Sequence, residues 1–132
     1  MTVKLTCLDH LVLTVRDLDT TIAFYEEVLG MKADVFTGGD GTRRTALTFG
    51  SQKINLHQIG AEFEPKAASP TPGSADLCFL TDTALDVWGA HFETLGVAVI
   101  LGPVARTGAT GPLNSLYLRD PDGNLIEVSE RA

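Results

Sequence analysis

Cysteine is scarce in this chain: Cys7 and Cys78 are the only two, too widely spaced for a CxxC motif and too few for a disulfide framework. Both read as free thiols in or near strands. Basic side chains are outnumbered as well, 10 Lys and Arg against 17 Asp and Glu, which leaves a net charge of −7. That sign suits neither a nucleic-acid backbone nor an anionic membrane surface as a partner. No apolar run approaches the roughly 18 residues that a membrane-spanning helix needs. The opening MTVKLTCLDH lacks the apolar core of a signal peptide, so the cytoplasm is the expected compartment. What is present is ordinary globular composition, 44% hydrophobic and 20% charged over 132 residues. That is enough for one domain with a substantial core, or for two small halves sharing one.

Read in order, Leu8 to Val15 (LDHLVLTV) alternates as a strand, with Leu11, Leu13 and Val15 on one face and Leu8, His10, Val12 and Thr14 on the other. A helix follows, capped at Asp19 or Thr20, carrying Ile22, Tyr25, Val28 and Leu29 at helical spacing and stopped by Gly30. Ala33 to Phe36, Thr45 to Phe49 and Lys53 to Ile59 complete a βαβββ unit. Gly60 to Ser74, rich in Pro and Gly, is the natural linker. The pattern then restarts: a strand over Ala75 to Thr81, a helix marked by Leu85, Trp88, Phe92 and Leu95 and stopped by Gly96, and a strand over Val97 to Leu101. A loop over Gly102 to Asn114 and strands over Ser115 to Leu118 and Leu125 to Ser129 close it. Asp120-Pro121-Asp122-Gly123 supplies the turn before the last strand. The expected fold is therefore α+β, one domain made of module 1 (1–60), a linker (61–74) and module 2 (75–132), whose two βαβββ modules form an open mixed sheet.

Overlaying the halves pairs His10 with Asp76 and His57 with Glu127. All four have the parity opposite the aliphatic positions Leu11/Leu13, Ile54/Leu56, Leu77/Phe79 and Ile126/Val128. Taken singly, each has a plain structural reading. Glu127 is as readily a solvent-facing strand residue, His10 a satisfied strand histidine, His57 part of a polar strand with Asn55 and Gln58, and Asp76 a turn cap; His91 reads as a helix-surface residue. Taken together, two imidazoles and two carboxylates make a donor set for a divalent transition metal (Zn, Ni, Mn, Co or Fe). Such an ion stabilises a developing enolate and acidifies a bound water, and Glu127 suits the role of catalytic general base.

The paired units, the LDHLVLTV opening, the helix end FYEEVLGM and the closing RDPDGNLIEVSE resemble the vicinal oxygen chelate superfamily over essentially the whole chain. That superfamily includes glyoxalase I, extradiol dioxygenases, fosfomycin resistance proteins and bleomycin-binding proteins. FGSQKINLHQIG, EFEPKAASPTPGS, GPVARTGATGP and SLYLRDPDGNLIEVS resemble most closely the glyoxalase domain-containing protein 5 group. The resemblance implies a cup-shaped sheet with metal ligands at His10, His57, Asp76 and Glu127, although Asp76 stands where glyoxalase I usually has His. It also implies a homodimer, with a site either within one chain or shared between two. The expected activity is that of a metal-dependent glyoxalase-like lyase or isomerase, acting on a small-molecule substrate through a metal-bound enediolate. The alternatives are a metal-free ligand-sequestering protein of the bleomycin-resistance type, or an extradiol dioxygenase. Gly102 to Asn114 is the candidate lid, with Arg106, Ser115, Tyr117 and Arg119 as candidate substrate-binding residues.

Overall fold

Alternation of apolar and polar side chains along short strands, interrupted twice by a helical repeat, builds the same arrangement two times over. In the computed structural model, which describes residues 2–132, the chain divides into two compact units, Met1–Pro70 and Thr71–Ala132. Unit 1 comprises β1 (His10–Val15), α1 (Leu18–Glu27), β2 (Lys32–Thr37), β3 (Arg43–Phe49) and β4 (Gln52–Gln58). Unit 2 comprises β5 (Asp76–Leu80), α2 (Leu85–Thr94), β6 (Leu101–Gly108), β7 (Gly111–Arg119) and β8 (Leu125–Arg131). Each unit carries its own open four-stranded mixed sheet, in the order β1-β4-β3-β2 and β5-β8-β7-β6. The first and last strands of each unit run parallel and the other pairings are antiparallel. The fold class is α+β, from two βαβββ modules.

One face of each sheet is closed by its helix. Leu13, Val15, Leu47, Ile54 and Leu56 are buried in unit 1 together with Tyr25 and Val28 of the α1 segment, which packs on β2 and β4. In unit 2, Leu116, Leu118, Ile126 and Val128 are buried with Leu85 and Phe92 of α2, which packs on β7 and β8. Ile54 and Ile126 are both fully buried at 0% exposure, so each core is anchored by the last strand of its own unit. Because side chains alternate across a strand, a helix on one face leaves the other face to be defined by the polar positions.

The helix stops lie where expected: Gly30 and Gly96 take φ of 72° and 69°, a left-handed conformation that glycine reaches without a Cβ penalty. The cap of α1 does not. Its N-cap is Asp17, whose carboxylate accepts from the Thr20 amide at 2.9 Å, because the helix starts two or three residues earlier than the run of apolar residues suggests. Asp120 organises the turn before β8 by accepting from the amides of Asp122 and Asn124, both at 2.9 Å. Asn124 Oδ1 in turn accepts from the Ala75 amide, so this turn ties the start of β5 to β8.

Two expectations are corrected in unit 2. Residues 97–100 do not form a strand; the Val97 amide instead bonds back to the Phe92 carbonyl to finish α2. The stretch Gly102 to Asn114 is not a loop but most of a β6–β7 hairpin. Its Gly and Pro content is accommodated because β6 is an edge strand, where Pro103 needs no ladder donor, and because Gly108 and Gly111 pair across the turn. Arg106 consequently stands on a strand opposite Leu113 rather than on a lid.

Candidate functional site

The faces turned away from the helices carry the candidate residues, and the registers show how. Level with Glu127 on the neighbouring strand stands Cys78, two residues after Asp76. Level with Asn55 stands Val12, two residues after His10. His57 is level with Thr14, four residues after His10, and its counterpart in unit 2 is Ser129, level with Leu80. The internal repeat therefore pairs Glu127 with Asn55 rather than with His57. The sequence overlay missed this because aligning FGSQKINLHQ with the longer LRDPDGNLIEVS leaves a two-residue slip undetected. A two-residue slip keeps parity, so alternation alone cannot expose it.

Glu127 is positioned by hydroxyls. Ser115 Oγ donates to its Oε2 at 2.6 Å and Ser129 Oγ to the same oxygen at 3.2 Å, and the two hydroxyls are themselves 2.7 Å apart. Cys78 Sγ lies 3.2 Å from Ser129 Oγ, extending the chain to β5. Burial pushes the Cys78 thiol up, opposed by its bond to Ser129, so it is held as a thiol rather than a thiolate. Oε2 of Glu127 is thereby held, the Cys78 thiol also reaches the Glu127 carboxylate, and that carboxylate borders open space. Asp76 is exposed at the start of β5.

Glu127 borders two hollows on this face. One, of about 360 Å³, runs past Cys78, Leu80, Leu113, Arg106 and Arg131. The other, of about 500 Å³, runs past Asp76, Leu125, Tyr117, Arg119 and Arg106. Arg106 donates through Nε to the Tyr117 hydroxyl at 2.8 Å and lies over the Tyr117 ring, and Arg119 donates to the Gly123 carbonyl at 3.3 Å. Unit 2 thus brings together Asp76, Glu127, Ser115, Tyr117, Arg106 and Arg119.

In unit 1, His10 Nδ1 lies 2.8 Å from the neighbouring Asp9 carboxylate. A neutral ring that donates Nδ1–H there presents Nε2 as its lone-pair donor, the arrangement usual for a metal-ligating histidine. His57 is buried, its ring edge-on to Phe63 at 5.5 Å between centroids, while Arg44 stacks on Phe63 at 4.2 Å. Burial lowers the His57 pKa from its ordinary value, with Arg44 and Lys66 adding to the effect and Glu62 opposing it. Asn55 Oδ1 is buried and has no hydrogen-bond partner, an orphaned carbonyl oxygen at the position equivalent to Glu127.

The donor chemistry of each pair fits a divalent ion: the carboxylates of Glu127 and Asp76 in unit 2, the His10 imidazole with the Asn55 carbonyl or His57 in unit 1. Among the described residues, no three His, Cys, Asp or Glu side chains form a metal-binding group.

Paired βαβββ modules with polar residues on the face away from the helices define a class of fold built for small-molecule sites. The sequence model of the Glyoxalase/Bleomycin resistance protein/Dioxygenase superfamily matches residues 7–128, and the chain belongs to that superfamily. It is 58% identical to virulence protein STM3117 of Salmonella typhimurium, over 93% of this chain and 83% of that protein. The crystal structure of that protein superposes with a TM-score of 0.90, covering 98% of this chain and 100% of the other. The chain is also 56% identical to the glyoxalase domain-containing protein RDO1 of Mycosarcoma maydis over 92% of its length, and spans 66% of that protein. At greater distance, a lactoylglutathione lyase from Agrobacterium tumefaciens is 27% identical with a TM-score of 0.68, covering 96% of this chain and 95% of the other. The antibiotic-binding protein TnmS3 from a Streptomyces species shares the fold, at 23% identity and a TM-score of 0.74 over 99% of this chain and 100% of that one. No helix in the described residues is long and apolar enough to cross a membrane.

Proposed function

We propose that this protein is a metal-dependent glyoxalase-like lyase or isomerase acting on a small molecule with an acidic proton next to a carbonyl group. The observation that carries the reading is Glu127, with Oε2 anchored by Ser115 and Ser129 and its carboxylate bordering two hollows. In this reading Oε1 takes the proton from the substrate and returns it to the adjacent carbon, while the serine hydroxyls keep the carboxylate from turning away. A divalent metal, when bound, supplies the positive charge that stabilises the developing oxyanion. The candidate ligands are Asp76 and Glu127 in unit 2 and His10 and His57 in unit 1, where the Asn55 carbonyl is a further donor. Arg106, Tyr117 and Arg119 hold the substrate, and Ser115 acts on it through Glu127. The names of the related glyoxalase-domain protein and lactoylglutathione lyase support the reaction class, and free Cys7 and Cys78 suit a reducing cytoplasm. A homodimer and placement in the glyoxalase domain-containing protein 5 group belong to the same proposal.

Metal analysis of protein purified without chelator, followed by hemithioacetal turnover under each of Zn, Ni, Mn, Co and Fe, tests it. Glu127→Gln should lose about 10²- to 10⁴-fold in turnover, the usual contribution of a general base, and bind less metal. Absence of stoichiometric metal, with no metal-dependent activity, would leave the ligand-sequestering reading. That second reading draws support from the fold shared with an antibiotic-binding protein.

A further inference from the structure

We infer that the hollow between Glu127 and the β6–β7 hairpin receives the anionic end of a small molecule, a carboxylic or phosphonic acid, held by Arg106 and Arg131. The inference rests on the reading of this face as the reaction site and names the class of its substrate. Charge balance separates the two hollows that Glu127 borders, and a third beside them. The hollow of about 360 Å³ has two guanidiniums, Arg106 and Arg131, against one carboxylate, Glu127. The neighbouring hollow sets Arg106 and Arg119 against Asp76 and Glu127, and a third sets Arg131 against Asp82 and Glu130. Only the first has a surplus of positive charge, in a chain whose net charge is −7.

Neither guanidinium is already neutralised. Arg106 donates to the Tyr117 hydroxyl and the Ala105 carbonyl, and Arg131 to the Thr110 hydroxyl at 2.7 Å, all uncharged acceptors. No carboxylate among the described residues lies within ion-pairing distance of either. An arginine has five N–H donors, so each retains donors for a further acceptor, and a planar fork matches an oxyanion. Leu80 and Leu113 provide the apolar lining, and the volume falls in the range of about 300–1,000 Å³ typical of small-ligand pockets. An acid seated on the arginines points its other end along the hollow towards Glu127, whose own charge repels the acid group and so fixes which end approaches.

Amide chemical-shift titration of the isotope-labelled full chain, at constant ionic strength, tests this with succinate, methylphosphonate, neutral succinamide and 1,4-diaminobutane. The expected result is saturable shifts at residues 106–110 and at Arg131 with the acids and none with succinamide. Arg106→Gln and Arg131→Gln should each weaken acid binding by about tenfold, the scale of one charge-assisted hydrogen bond. Glu127→Gln should leave acid binding intact or tighten it even as it removes turnover. Failure of the catalytic reading is thereby separated from failure of this one. Preference for succinate or methylphosphonate identifies which oxyanion is held. Binding insensitive to both arginine substitutions, occupancy of the same residues by the diamine, or no saturation by either acid overturns the inference.

Discussion

Unit 1 and unit 2 share strand order, strand sense and helix placement, yet their polar faces have diverged in opposite directions. In unit 1 the segment after β4 folds over the sheet: Phe63 covers His57 and carries Arg44, so the polar residues there are packed into structure. In unit 2, Glu127 instead borders two hollows whose linings include three arginines. Equivalent positions make the contrast sharper. Asn55 answers to Glu127 and His57 to Ser129, so the second unit has a carboxylate where the first has an amide, and a hydroxyl supporting that carboxylate where the first has a ring. The backbone repeat sets where side chains emerge; what lies over them decides whether they are available for chemistry.

The comparison predicts symmetry in the cores and asymmetry on the faces. Ile54→Ala and Ile126→Ala, at equivalent and fully buried positions, should each cost about 2–5 kcal/mol by urea denaturation. A large difference between them would mean that the two cores are not energetically equivalent. Ser115→Ala should lower turnover or metal affinity by about 10- to 100-fold with little loss of stability, because it frees Oε2 of Glu127 from its shortest bond. The corresponding place in unit 1, one step beyond the Thr45–Leu56 pair, is Arg44; Arg44→Ala should reduce stability through lost stacking on Phe63 and leave turnover nearly unchanged.

The smallest effect concerns protons. Because the folded-state pKa of His57 is lowered from 6.5, its neutral form contributes stability that is present above about pH 6.5 and lost as pH falls through the lowered folded value. Phe63→Ala removes the ring that helps bury it. In a pH titration followed by the imidazole proton resonances, the His57 pKa should move up towards 6.5, with a loss of about 0.5–1.5 kcal/mol from the ring pair. An unmoved pKa would show that burial by other neighbours governs it.

Much of this was legible without a structure. Helical spacing with glycine stops located both helices, and alternation located most strands and assigned His10, Asp76 and Glu127 to the face away from the aliphatic core. The family followed from motifs spread over the whole chain. The hairpin Leu101 to Arg119 was hidden by its glycines and prolines, which signal loops in general, yet Pro103 is tolerated on the edge strand β6 and Gly111 and Pro112 stand at the start of β7. Asn55 was passed over because nothing local marks an amide as a candidate; its equivalence to Glu127 depends on strand register, and its orphaned oxygen on burial. Arg131 was passed over for the same kind of reason, since only the return of the hairpin brings Arg106 and Thr110 to it.

The sequence by itself determined the repeat, the α+β class and the side of each strand on which the polar residues stand, because these follow from periodicities of two and 3.6 residues within short windows. The tertiary structure decided which polar residues are equivalent, which are covered and which face a hollow. Those depend on register between strands distant in sequence and on segments that fold over a sheet, and neither is encoded in any one window.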